Sequence, residues 1–328
     1  MKKIILVFIM LIVMFSIVSY GAEKAEFLIK ASVDQPANLP GGVAFYKFKE
    51  LVEERSNGRI KVDVFVDGAL GGEREVVEGL LLGTIEMCMP SNAHLTGFVP
   101  SMNLFELPYL FKNDDHFFAV MDSEIAMGFD KDMSKEGFHL LGYGYIGLRN
   151  VLTVKNVVIN SMEDLKGLKI RMMKCPSHLD AFEAFGASPL TLEYKECYTA
   201  MQTGQIDGME AANSNYWGKK FYEVAPNYAM LGWIRLVGPI IMSKVFYDKL
   251  PADLQKIVDD AGAEIGGYMR DLYVKSDEEK LEALKDLGIK ITHPDKAPFI
   301  EASQAVYDKW ASSVGGREKI DAILNFEY

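Results

Sequence analysis

Cysteine is scarce in this chain: Cys88, Cys175 and Cys197 are its only three among 328 residues. An odd, widely spaced set is no disulfide framework. Cys175 with Cys197 is the one pairing left open; otherwise the three read as small buried hydrophobes. Histidine is nearly as rare, and His94, His116, His139, His178 and His293 show no metal-ligand spacing. No Gly-x-Ser-x-Gly elbow and no Walker loop occurs. The expectation is therefore no catalytic residue, no cofactor and no metal. Positive charge is also short, with 35 Lys and Arg against 46 Asp and Glu, a net charge of −11. That balance argues against nucleic acid and against an anionic membrane surface as partners. An anionic ligand would need a local cationic site, because the overall field repels it. Beyond the N-terminus no run is long and apolar enough to span a membrane.

The first residues read as a targeting segment. Lys2 and Lys3 form a positive start, Ile4 to Val18 is apolar except for Ser16, and Ser19-Tyr20-Gly21-Ala22 offers small residues for cleavage. This is the pattern of a secretory signal, residues 1–22, cut near Gly21 or Ala22. The apolar run is short of the roughly 20 residues a spanning helix needs; an uncleaved anchor is the alternative. No cysteine near the cut suggests a lipoprotein.

What remains is globular in composition, 49% hydrophobic and 25% charged, and long enough for two domains. Glu26 to Val33 reads as a strand, Val43 to Arg55 as an amphipathic helix, Ile60 to Val66 as a strand, Glu73 to Leu82 as a helix and Ile85 to Met89 as a short strand. That order builds a parallel sheet, in which ligands bind at the carboxyl ends of the strands. Phe138 to Val154 reads as extended chain. Strands at Leu168–Met172, Ser188–Leu192 and Ile206–Met209 then alternate with helices at His178–Phe185 and Glu196–Thr203, a second α/β unit without sequence repetition. From Pro251 to Leu287 apolar residues keep helical spacing, predicting one helix longer than a small domain and therefore one that braces both units. Gly262, Gly266 and Gly267 are places where it could bend.

Candidate site residues follow from this reading. Gly142-Tyr143-Gly144-Tyr145-Ile146-Gly147 matches a dinucleotide fingerprint but is followed by strand-like Val151 to Val158, not by a helix N-terminus, and is set aside. Arg171 lies near the end of a buried strand, where its planar fork suits a carboxylate. Position alone leaves open whether it anchors a ligand or pairs with a local acid. Arg149 falls where the first unit gives way to the second and either faces a cleft or sits in an exposed turn. Tyr194 and Asn213 to Trp217 each follow a strand of the second unit, at its cleft edge, as ligand wall or as interdomain packing.

Ordered motifs along the chain carry a resemblance. They are Phe48-Lys49-Glu50-Leu51-Val52-Glu53 with Gly58-Arg59-Ile60, Leu70-Gly71-Gly72-Glu73-Arg74-Glu75, and Phe105-Glu106-Leu107-Pro108-Tyr109-Leu110-Phe111. Next come Asp164-Leu165-Lys166-Gly167-Leu168-Lys169-Ile170-Arg171, Gly186-Ala187-Ser188-Pro189, Gln202-Thr203-Gly204-Gln205-Ile206-Asp207-Gly208 and Lys220-Phe221-Tyr222-Glu223-Val224. In this order the chain resembles the solute-binding proteins of tripartite ATP-independent periplasmic (TRAP) transporters, of the dicarboxylate and sialic-acid type. The resemblance implies a periplasmic-binding-protein-like α/β fold: two α/β domains, a hinge and a long domain-spanning helix. Residues 23–148 plus 237–276 would form the first domain and 149–236 plus 277–328 the second. It implies a periplasmic, monomeric, non-enzymatic protein that closes on a small organic acid and docks on the small and large membrane subunits of a transporter. Arg171 would clamp the carboxylate, Arg149 would be a second arginine of the site, and Tyr194 would pack on the ligand. Ser32, Glu73, Ser91 and Asn92 are the first-domain candidates. Sialic-acid binders have Asn where this chain has Ala211, which counts against that ligand; Asn213 is the nearest substitute. A binding protein for a sensor kinase, or an extracytoplasmic enzyme on a carboxylated metabolite, are the alternatives.

Overall fold

Alternating residues of Phe27–Val33 (β1) put Ile29, Ala31 and Val33 inward, and this strand is the centre of one wing of the molecule. The computed structural model describes residues 25–328, so the secretory signal read at 1–22 lies outside the described residues. β1 pairs in parallel with Ile60–Phe65 (β2) on one side and Met87–Met89 (β3) on the other. Lys169–Met172 (β5) repeats the scheme further on. It pairs in parallel with Ser188–Thr191 (β6) and with Gly208–Ala211 (β7). In both wings the strand that comes first in sequence takes the middle place.

Two long antiparallel strands join the wings. Phe138–Thr153 (β4) pairs along most of its length with Asn227–Ser243 (β8). β8 meets β3 through Met242 and Ile241, and β4 meets β7 through residues 150–153. The result is one nine-stranded sheet, ordered β2-β1-β3-β8-β4-β7-β5-β6, with Lys290–Thr292 (β9) added to β8. The β4–β8 register shifts between Tyr145 and Leu148 and again between Arg149 and Val151. At the first shift Gly147 holds φ +84°, and a Cβ there would lie 2.4 Å from that of Ala212. The Gly-Tyr-Gly-Tyr-Ile-Gly run is thus the bulged middle of a joining strand, with no helix after it.

The long helix is present as Ala252–Asp286, 35 residues, about 50 Å at 1.5 Å per residue. It runs unbroken over β4, against helices Pro40–Arg55 and Asn213–Gly218. Two of its glycines serve approach rather than bending. A Cβ on Gly262 would lie 2.4 Å from Leu141 Cβ, and one on Gly266 would lie 2.8 Å from the Tyr143 carbonyl oxygen. Around Leu152, Met201, Met209, Tyr216, Tyr228 and Leu284 a second, smaller apolar core forms beside the main one. All three cysteines are free and buried, so Cys175 and Cys197 are not bridged. Among the described residues no helix is long and apolar enough to cross a membrane.

Candidate functional site

The carboxyl ends of β1, β3 and β5 converge on one cavity, floored by Ile146 of β4 and Leu236 of β8. It is a narrow space of about 50 Å³ between the wings. One wall is cationic. Arg171 on β5 is 2% exposed. Its Nε donates to the Leu192 carbonyl oxygen at 2.7 Å, and the Tyr194 ring lies 5.8 Å from its guanidinium carbon. Among the described residues it has no carboxylate within 4.0 Å. A buried guanidinium without a counter-charge is costly.

Arg149 shares the wall but not the electrostatics. It is 4% exposed and meets a fully buried Glu210. Nε donates to Glu210 Oε2 at 2.5 Å, and Nη2 to Oε1 at 3.1 Å and to the Glu210 carbonyl oxygen at 3.2 Å. Burial pushes the Glu210 carboxyl up, but the Arg149 guanidinium more than offsets this and holds it below its ordinary value. Arg149, Glu210 and Arg171 together leave one net positive charge, the complement of one carboxylate. The Tyr194 hydroxyl and Asn215 Oδ1 are buried beside them without hydrogen-bond partners.

The opposite wall is acidic. Glu73 accepts from the Ser91 amide at 2.6 Å and from Ser91 Oγ at 3.0 Å, and lies 2.8 Å from His94 Nδ1. Burial opposes its ionisation, yet His94 and these donors hold its carboxyl down at about 2. His94 responds in kind: burial disfavours its charge, but Glu73 raises it above the usual histidine value. Asp34, just past β1, has no such help. Burial, then the neighbouring Glu73 charge, push it up to about 7. Gln35 is fixed by Gly41, whose amide donates to Oε1 at 2.9 Å, and by the Tyr273 hydroxyl.

Of the residues expected from sequence, the structure brings Arg171, Arg149, Tyr194, Glu73 and Ser91 to one cavity. It does not bring Asn92, Asn213 or Ser32 there. Asn92 is buried one residue past Ser91, with Nδ2 donating to Met102 and Glu106. Asn213 is occupied by the Tyr228 hydroxyl and by the Asp277 carbonyl oxygen. Ser32 lines a small hollow behind Glu73. Arg149 is not in an exposed turn, since its carboxylate partner arrives from β7. Asp34 and His94 line the cavity without having been singled out, while Asn215 falls in the Asn213-to-Trp217 segment expected at the cleft edge. The breaker-rich loop after β1 was the available signal for Asp34; the one-turn helix at Asn92–Leu95 gave none for His94.

A cleft between two α/β wings, joined by two bulged strands and carrying a buried cation, defines a solute-capturing protein. The comparisons agree. The chain belongs to family 7 of the bacterial extracellular solute-binding proteins, whose model matches residues 31–313. A solute-binding protein of Sulfitobacter sp. is 35% identical, over 92% of this chain and 96% of that one. The 2,3-diketo-L-gulonate-binding periplasmic protein of Escherichia coli is 29% identical, over 88% and 87%. Among solved structures, a TRAP periplasmic solute-binding protein from Citrobacter koseri with bound D-glucuronate superposes with TM-score 0.87 at 29% identity, covering 92% of this chain and 99% of that one. One from Sulfurospirillum deleyianum with bound succinate gives 0.86 at 33%, covering 93% and 100%.

Proposed function

We propose that this protein is exported to the periplasm as a monomer, captures a small organic acid between its two wings, and delivers it to the membrane subunits of a TRAP transporter without chemistry of its own. The observation that carries the reading is Arg171, a buried guanidinium at the end of a strand with no carboxylate partner among the described residues. Its fork receives the ligand carboxylate, with Arg149 Nη1 as the adjacent donor and Tyr194 and Asn215 as neutral partners. The division into 23–148 plus 237–276 and 149–236 plus 277–328 puts the hinge at the β4 bulges, where Gly147 frees the backbone. Closure then brings Glu73, Ser91 and Asp34 onto the ligand's far end, and desolvation strengthens the charged hydrogen bonds.

The acidic wall favours one kind among the ligands of the relatives. A second carboxylate, as in succinate, would face an ionised Glu73. Hydroxyls, as in D-glucuronate, would donate to it. The reading is therefore a hydroxylated monocarboxylate. A thermal-shift panel of organic acids, followed by calorimetry, tests it: sugar acids bind and succinate binds more weakly. Succinate binding more tightly than every hydroxylated acid would overturn the preference. Against a thiol-dependent enzyme, burial lifts the Cys197 thiol to about 11, too high for a nucleophile at neutral pH.

A further inference from the structure

Behind the cavity, away from the organic-acid site, three chemically different side chains converge. Glu106 ends the 3-10 stretch Pro100–Glu106. Cys175 precedes the helix Pro176–Ala184, and His178 stands in its first turn. One donor atom from each lies within 4.8 Å of the others, and all three residues are buried. Three of their polar atoms are not satisfied. Among the described residues, both ring nitrogens of His178, itself fully buried, and Oε2 of Glu106 lack hydrogen-bond partners. Nε2 does approach Oε2 to 2.5 Å, but not along a hydrogen-bond direction. Orphaned buried polar atoms are rare in folded proteins and each is costly.

Supporting contacts hold the three in place. Asn92 Nδ2 donates to Glu106 Oε1 at 2.7 Å. The Trp233 ring stands edge-on to the His178 ring at 4.8 Å. Ser177 Oγ lies 3.2 Å from Cys175 Sγ. Oriented donors backed by such partners are what a metal site requires.

We propose that Glu106, Cys175 and His178 bind a divalent transition metal of the zinc class. Thiolate, imidazole and carboxylate together are a zinc donor set, and the sulfur argues against magnesium and calcium. On binding, the Cys175 S–H proton leaves to solvent and an S–metal bond forms. Thiolate and carboxylate then balance the ion's two charges, which suits a site closed to water. Ser177 Oγ, beside Cys175 Sγ, completes four-coordination. At metal–ligand distances of about 2.0–2.3 Å, Nε2 and Oε2 separate by roughly 1 Å from their present approach. The ion ties the segment of Ser91 and Asn92 to that of Met173 and Cys175, so it braces both cavity walls from behind. Two of the donors, Cys175 and His178, are three residues apart, but the third comes from far earlier in the chain. For that reason the histidine spacings alone gave no sign of it.

The test is titration of chelator-treated mature protein with Co²⁺. One equivalent should give the visible absorption of tetrahedral cobalt and a thiolate-to-cobalt charge-transfer band in the near ultraviolet. Cys175→Ser should lose that band, while Cys88→Ser and Cys197→Ser keep it. Zn²⁺ at a hundredfold excess over its Kd should raise the melting temperature of the unaltered protein by roughly 5–10 °C. That second readout holds even if Cys175→Ser does not fold. A titration without the charge-transfer band, a band that survives Cys175→Ser, or no Zn²⁺-dependent shift in melting would each overturn the proposal.

Discussion

Two arginines in one wall do different work. Arg171 has a carbonyl oxygen and an aromatic face for company, and no counter-charge. Arg149 is neutralised by Glu210, which has no exposure of its own. Truncating Arg149 therefore strands a buried carboxylate. Arg149→Ala should cost about 3–5 kcal/mol of folding stability by urea unfolding, whereas Arg171→Ala should leave stability nearly unchanged. Equal stability losses would contradict this division. The acids set the pH dependence. Asp34, raised to about 7, contributes stability that is complete below its ordinary value of 3.8 and is lost as pH rises through 7. Asp277, raised to about 6 by burial, acts in the same direction. Glu73, depressed to about 2, contributes stability above its ordinary 4.5 that is lost as pH falls toward 2. The melting temperature should then climb from pH 8 to pH 5 and fall again in acid, and Asp34→Asn should flatten the upper limb. A melting temperature that declines steadily from pH 8 to pH 5 would rule this out. Arg171 was legible because a charge within an apolar strand is conspicuous. Glu210 was not, since pairing across β4 and β7 depends on register that no local pattern reveals.

At the scale of elements, the legible ones are those with a clear period. The strand–helix alternation of both wings and the long helix follow from spacing and from their Gly and Pro boundaries. β8 was missed because Asn227–Ser243 is almost entirely buried, and an apolar run without alternation has no strand period to read. The helices at 297–310 and 317–324 were likewise unassigned. The role of the glycines in Ala252–Asp286 shows what periodicity omits. Gly266→Ala puts a methyl group against the Tyr143 carbonyl oxygen, while at Gly267 nothing lies within 4 Å. Gly266→Ala should destabilise the protein, and Gly267→Ala should stabilise it by up to about 1 kcal/mol through helix propensity. Chemical denaturation of the two variants gives the comparison. A destabilised Gly267→Ala would show that the outer face of this helix is also packed.

For the whole molecule, sequence alternation implied two α/β units but not that they share one sheet. That continuity arises from β4 and β8, each of which belongs to both wings. It also explains where a ligand acts. The cavity lies across the bulged crossing, so on the proposed reading an acid bound to Arg171 from one wing and touched by Glu73 from the other would hold the wings together. The measurement that tests this most directly is calorimetry of the mature protein and of Arg171→Ala with the best acid from the thermal-shift panel. Removing one side of a buried charged contact costs about 2–5 kcal/mol, so affinity should fall by at least about 30-fold while the variant stays folded. Unchanged affinity in a folded Arg171→Ala would contradict the account.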